Sequence, residues 1–131
     1  MRLTEQEFIQ IFGKRKLAQV NVSSKYRNKE CVYKGIKFPS LHEMYRYIVL
    51  EFKQNRGEIT DLNRQVRFQL LPAQKDENGK VIERPTFYVA DFTYRENGNL
   101  VVEDAKGMKT QTYILKRKMM LWFHGIRIKE V

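Results

Sequence analysis

The spacing of apolar residues changes several times along this chain, and each change marks an element. Thr4 followed three residues later by Glu7 is a capping-box pattern ahead of Phe8, Ile9, Ile11 and Phe12, which predicts a short N-terminal helix. From Gly13 to Lys37 no period holds, and this polar stretch reads as an arm or connector. In PSLHEMYRYIVLEFKQNRGEI, Leu41, Met44, Tyr45, Ile48 and Phe52 recur on one helical face, with Ser40 as N-cap and Gly57 as the stop.

The period then shortens to two. LNRQVRFQLL alternates through Leu62, Val66, Phe68 and Leu70, the turn KDENGK follows, and TFYVADFTY is a second strand rich in aromatic and β-branched residues. The turn ENGN leads into a third strand, LVVEDAK, so three consecutive strands predict an antiparallel meander. After Gly107, TQTYILKRKMMLWFHG places Leu115, Met119 and Trp122 on one helical face, with Gly125 as the stop, and IRIKEV alternates as a short final strand. The expected class is α/β (α+β), with the order αβββαβ preceded by the N-terminal helix and arm. The division falls at residues 1–37 for helix and arm and 38–131 for the core. A chain of 131 residues with 42% hydrophobic content suits one domain overall.

Charge changes this picture. Between residues 14 and 37 stand Lys14, Arg15, Lys16, Lys25, Arg27, Lys29, Lys34 and Lys37 against Glu30 alone. Residues 106 to 129 carry Lys106, Lys109, Lys116, Arg117, Lys118, Arg127 and Lys129 with no acid between them. Cations gathered in two segments are the footprint of a polyanion binder; a solvated basic surface is the alternative. No run approaches the roughly 20 apolar residues of a membrane span, and the N-terminus lacks the apolar core of a signal peptide, so a cytoplasmic protein is expected. Cys31, His42 and His124 are too few to build a structural zinc site.

The candidate chemistry lies at the end of the third strand. By alternation, Asp104 and Lys106 share a face while Ala105 points away. Asp91 sits inside the preceding strand between apolar neighbours, an unusual place for a carboxylate. Two carboxylates on neighbouring strands suit a hard divalent cation such as Mg²⁺, which relieves their repulsion, and a nearby lysine suits the charge of a phosphoryl transition state.

Asp91 followed by Asp104-Ala105-Lys106 resembles the PD-(D/E)XK nuclease superfamily, whose motif is an acid followed by acid-x-Lys on an αβββαβ core. From about Tyr33 to the C-terminus the chain also resembles small phage-encoded proteins with this signature, through GIKFPSLHEMYRY, GEITDLNRQVRF, YVADFTY, VVEDAKGMKT and YILKRK. Pro39 departs from the pattern, standing where those proteins tend to have an acid.

The resemblance implies that Asp91 and Asp104 hold Mg²⁺ (or Mn²⁺), that Lys106 is the catalytic lysine and that Glu43 completes the acidic set. The competing reading of Glu43 is a capping box with Ser40. Gln65 matches a polar position near such sites, and Lys116 and Lys118 match basic positions on the second core helix. Lys14, Arg15, Lys16, Lys25, Arg27 and Lys109 join them as expected phosphate contacts. The implied activity is a metal-dependent DNA endonuclease, acting on branched DNA in the manner of a Holliday-junction resolvase, with a homodimer to make paired cuts. A sequence-nonspecific or nicking endonuclease is the close alternative, and a noncatalytic nucleic-acid-binding accessory protein or a protein-binding regulator the more distant ones. Trp122, Phe123, Met119 and Met120 are expected in the core, and Glu103 as a structural acid on the opposite strand face.

Overall fold

The computed structural model describes residues 21–22 and 31–131. The predicted N-terminal helix and the basic positions Lys14, Arg15, Lys16, Lys25 and Arg27 lie outside the described residues. The chain divides into two compact units, residues 1–59 and 60–131.

In the first unit, strands β1 (Asn21–Val22), β2 (Cys31–Tyr33) and β3 (Ile36–Phe38) form an antiparallel sheet in that order. Residues 31–38 are therefore a hairpin where the sequence pattern suggested an irregular arm. Each strand has only three residues, too few for alternation to show. The linking pair Lys34 and Gly35 have φ of 49° and 78°, the mirror-image turn whose twist suits a hairpin.

Helix α1 (Leu41–Asn55) begins at Ser40, whose Oγ accepts the Glu43 N–H at 3.2 Å. Its Met44, Ile48 and Val49 pack with Cys31, Tyr33 and Phe38 as the apolar core of this unit, and Leu41, Tyr45 and Phe52 close its edge. The buried face is wider than the predicted stripe, because it also takes in Leu50, Arg46 and Lys53.

The second unit is built on a mixed four-stranded sheet. Its elements are β4 (Thr60–Leu71), β5 (Gln74–Lys75), β6 (Val81–Glu83), β7 (Thr86–Glu96), β8 (Asn99–Asp104), α2 (Gln111–His124) and β9 (Lys129–Glu130). The sheet order is β4-β7-β8-β9. β4, β7 and β8 form the predicted antiparallel meander. β9 runs parallel to β8, which requires the crossover that α2 supplies. β5 and β6 make a small exposed hairpin around the Asn-Gly turn, where Asp76 Oδ1 accepts the N–H groups of Asn78 and Lys80, each at 2.9 Å. The protein is thus mixed α+β, and no helix among the described residues is long and apolar enough to cross a membrane.

α2 starts at Thr110, whose Oγ1 accepts the Tyr113 N–H at 3.1 Å, and stops at Gly125, whose left-handed φ of 66° favours glycine. It buries Tyr113 and Met120 against Leu70, Tyr88, Ala90, Val102 and Ile128. The predicted face holds only in part: Met119 packs against this core and Met120 lies in it, as expected. Leu115 and Trp122 point to solvent, as do Leu121 and Phe123. Apolar residues ring this helix, so its periodicity alone does not select a buried side.

Met120→Ala is expected to cost about 2–5 kcal/mol, the range for emptying a buried core position, while Trp122→Ala stays within about 0.5 kcal/mol. Urea unfolding followed by far-UV circular dichroism measures both. Equal losses would show that α2 presents a different face to the sheet.

Candidate active site

The register of β7 against β8 pairs Phe92 with Glu103 and Thr93 with Val102, so the next step along the strands sets Asp91 beside Asp104. Alternation on β8 puts Val102 and Asp104 on the face covered by α2 and sends Glu103 to the other. Glu103 is fully buried there, accepts a hydrogen bond from the Tyr94 hydroxyl and has Lys129 Nζ at 3.9 Å, in agreement with its reading as a structural acid.

Asp104 is 1% exposed. Its Oδ2 accepts the Tyr88 hydroxyl at 2.6 Å, whereas its Oδ1 is buried with no hydrogen-bond partner among the described residues. Lys106 Nζ lies 3.8 Å from that Oδ1. Lys106 stands just past the end of β8, two residues after Asp104. Between them, the Ala105 N–H donates to Asp91 Oδ2 at 2.8 Å.

The other oxygen of Asp91 accepts Gln65 Nε2 at 3.4 Å. Gln65 faces Asp91 across the β4–β7 ladder, between the pairs Arg64 with Phe92 and Val66 with Ala90. Its φ of 53° is unusual for a non-glycine residue within a strand, a strain of about 1 kcal/mol or more of the kind that gathers at functional sites. Gln65 therefore positions a carboxylate, a more specific placement than the phosphate contact expected of it.

Burial raises the Asp104 carboxyl to about 6, and the neighbouring Asp91 charge adds to this, while the Tyr88 hydrogen bond and Lys106 oppose it. Burial and the bond to Asp104 push the Tyr88 hydroxyl well above the ordinary tyrosine range, so it remains a donor. Three partners in this neighbourhood escaped the sequence reading. Tyr88 supplies the bond just described, Tyr113 places its ring 5.2 Å from Lys106 Nζ, and Glu130 accepts the Tyr113 hydroxyl at 3.0 Å. Glu130 also gathers Lys109 at 3.5 Å and Arg117 at 3.3 Å. Although burial works against it, the Tyr113 hydrogen bond and the two cations hold Glu130 below the usual carboxylate range. A tyrosine beside a motif carries no sequence signal of such a role.

No group of three or more His, Cys, Asp or Glu able to hold a metal is present among the described residues. Two carboxylates, one with an orphaned buried oxygen, nevertheless match a cation that takes one or two carboxylates and fills its other positions with water and phosphate. Glu43 is buried in the first turn of α1, in the first unit, with its N–H bound to Ser40. Lys116 is half-buried and Lys118 exposed, both on α2, and Lys109 is engaged with Glu130.

A family model described as "Protein of unknown function (DUF1064)" matches residues 23–129, and the chain belongs to that family. No curated protein and no solved structure matches it.

The raised Asp104 value makes a stability prediction. A carboxyl whose folded-state pKa lies above its unfolded one favours the folded state when protonated. The deficit is therefore full above about 6 and disappears as pH falls below the unfolded value of about 3.9. Asp104→Asn is expected to melt higher than the unsubstituted protein near pH 8, by on the order of 2 kcal/mol, with the gap closing near pH 4. Thermal unfolding across this range checks it, and a variant that melts lower throughout would contradict the electrostatics described.

Proposed function

We propose that this member of a family of unknown function is a divalent-cation-dependent DNA endonuclease of the PD-(D/E)XK type. The supporting observation is half-buried Asp91 beside buried Asp104, the orphaned Oδ1 of Asp104 lying 3.8 Å from Lys106 Nζ. Asp91 and Asp104 would hold the cation, which when bound supplies charge neutralisation for the phosphate and for the attacking water.

The protein's own groups set the geometry. Gln65 and the Ala105 N–H fix Asp91, and Tyr88 fixes Asp104 so that its free oxygen faces Lys106. The Lys106 ammonium stabilises the added negative charge as the water oxygen bonds to phosphorus. The P–O3′ bond breaks, the leaving oxygen takes a proton to become a 3′-hydroxyl, and the other fragment keeps a 5′-phosphate. Lys116 and Lys118 contact backbone phosphates, which position a substrate without reading its sequence.

Branched DNA is the finer substrate assignment. Paired symmetric cuts in a four-way junction would call for two copies of the chain related by a two-fold axis.

Labelled four-way junction, duplex and single strand of matched sequence are incubated with Mg²⁺ or with EDTA. Cleavage is expected in Mg²⁺ only, and Asp91→Asn, Asp104→Asn and Lys106→Ala are each expected to slow it roughly 100-fold or more. Junction-restricted paired nicks would support the branched substrate, and cleavage of all three would support a nonspecific nuclease. Salt-sensitive binding with no cleavage of any substrate would overturn the enzyme in favour of an accessory binding protein.

A further inference from the structure

Helix α2 turns a large aromatic residue to solvent. Trp122, expected in the core, is 84% exposed, and Leu115 59%. Lys118 precedes Trp122 by four residues, so the two are surface neighbours on the same stripe. Beside this stripe runs an open groove of about 330 Å³ lined by Arg117, Lys118, Leu121, Arg127, Ile128 and Glu130.

The charges in the groove divide into two sets. Glu130 is taken up by Arg117, Lys109 and the Tyr113 hydroxyl, so its repulsion of an anion is largely cancelled. Lys118 and Arg127 form no ion pair with any acid among the described residues, and no acid occurs between residues 106 and 129. An exposed indole flanked by uncommitted cations is complementary to a strand that offers both an aromatic face and phosphates. A second copy of this chain would bring the same cations against themselves.

We propose that the outward face of α2 is a platform for single-stranded nucleic acid, on which Trp122 stacks with an unpaired base while Lys118 and Arg127 hold phosphates of the same strand. A base inside a duplex has both faces covered, so this surface selects frayed, branched or single-stranded regions. The inference deepens the nuclease reading by naming a substrate feature, but it concerns binding and does not pass through the carboxylates.

Trp122 is the chain's single tryptophan, so its fluorescence reports this surface alone. The intact protein in EDTA, where no cleavage is read, is titrated with an oligothymidylate and with a blunt duplex of equal length. The single strand is expected to quench the emission saturably and the duplex to quench it weakly, with the single-strand affinity falling as salt rises. Trp122→Ala, checked for folding by circular dichroism, is expected to weaken binding of a fluorescein-labelled strand roughly tenfold, and Trp122→Phe to restore most of it. The Lys118→Ala, Arg127→Ala double variant is expected to bind more weakly yet reach the same final quenching.

Binding of the labelled strand without any change in Trp122 emission would overturn the proposal. So would a concentration-dependent dimer without nucleic acid that Trp122→Ala dissolves, since Trp122 would then belong to a self-interface. Absence of cleavage with quenching intact would count against the nuclease and leave the platform standing.

Discussion

Two carboxylates held side by side across β7 and β8 set the terms for the second unit. Asp104 is buried beside a like charge, an arrangement that burial and repulsion both penalise. The surrounding structure offsets that cost piece by piece: Tyr88 donates to one oxygen of Asp104, the Ala105 N–H and Gln65 occupy Asp91, and Lys106 folds back toward the oxygen left over. Strand order, the Ala105 N–H just past β8 and the strained Gln65 backbone all make sense as means of keeping two acids together that would separate if free to do so.

The outer layer repeats the logic with opposite sign. Tyr113 lies under Lys106 and donates to Glu130, which in turn holds Lys109 and Arg117. The C-terminal strand is thereby tied to the first turn of α2 and to the lysine of the motif. β9 is only two residues long, yet its Glu130 gathers both Lys109 and Arg117. Parallel pairing of β9 with β8 is what brings it there, and that pairing exists because α2 crosses over the sheet.

Much of this was legible in the sequence. The caps at Ser40 and Gly125 use residue types whose hydrogen bonding or backbone freedom is local, so these helix limits could be read directly. Long strands such as β4 and β7 showed themselves by alternation, and Asp91, Asp104 and Lys106 were marked by a carboxylate in an apolar strand and a basic residue two positions after an acid. Three features stayed hidden. The β2–β3 hairpin is too short to establish a period, the apolar residues of α2 are spread around its circumference, and the roles of Tyr88 and Glu130 come from tertiary register, which leaves no trace in local pattern.

The central claim is that Asp91 and Asp104 together bind a divalent cation. Electron paramagnetic resonance of Mn²⁺ titrated into the protein and into Asp104→Asn tests it without depending on the identity of the substrate. The account predicts Mn²⁺ bound by the unsubstituted protein, displaced by excess Mg²⁺, and absent from the folded variant. Equal binding by both proteins, or none by either at millimolar Mn²⁺, would contradict it.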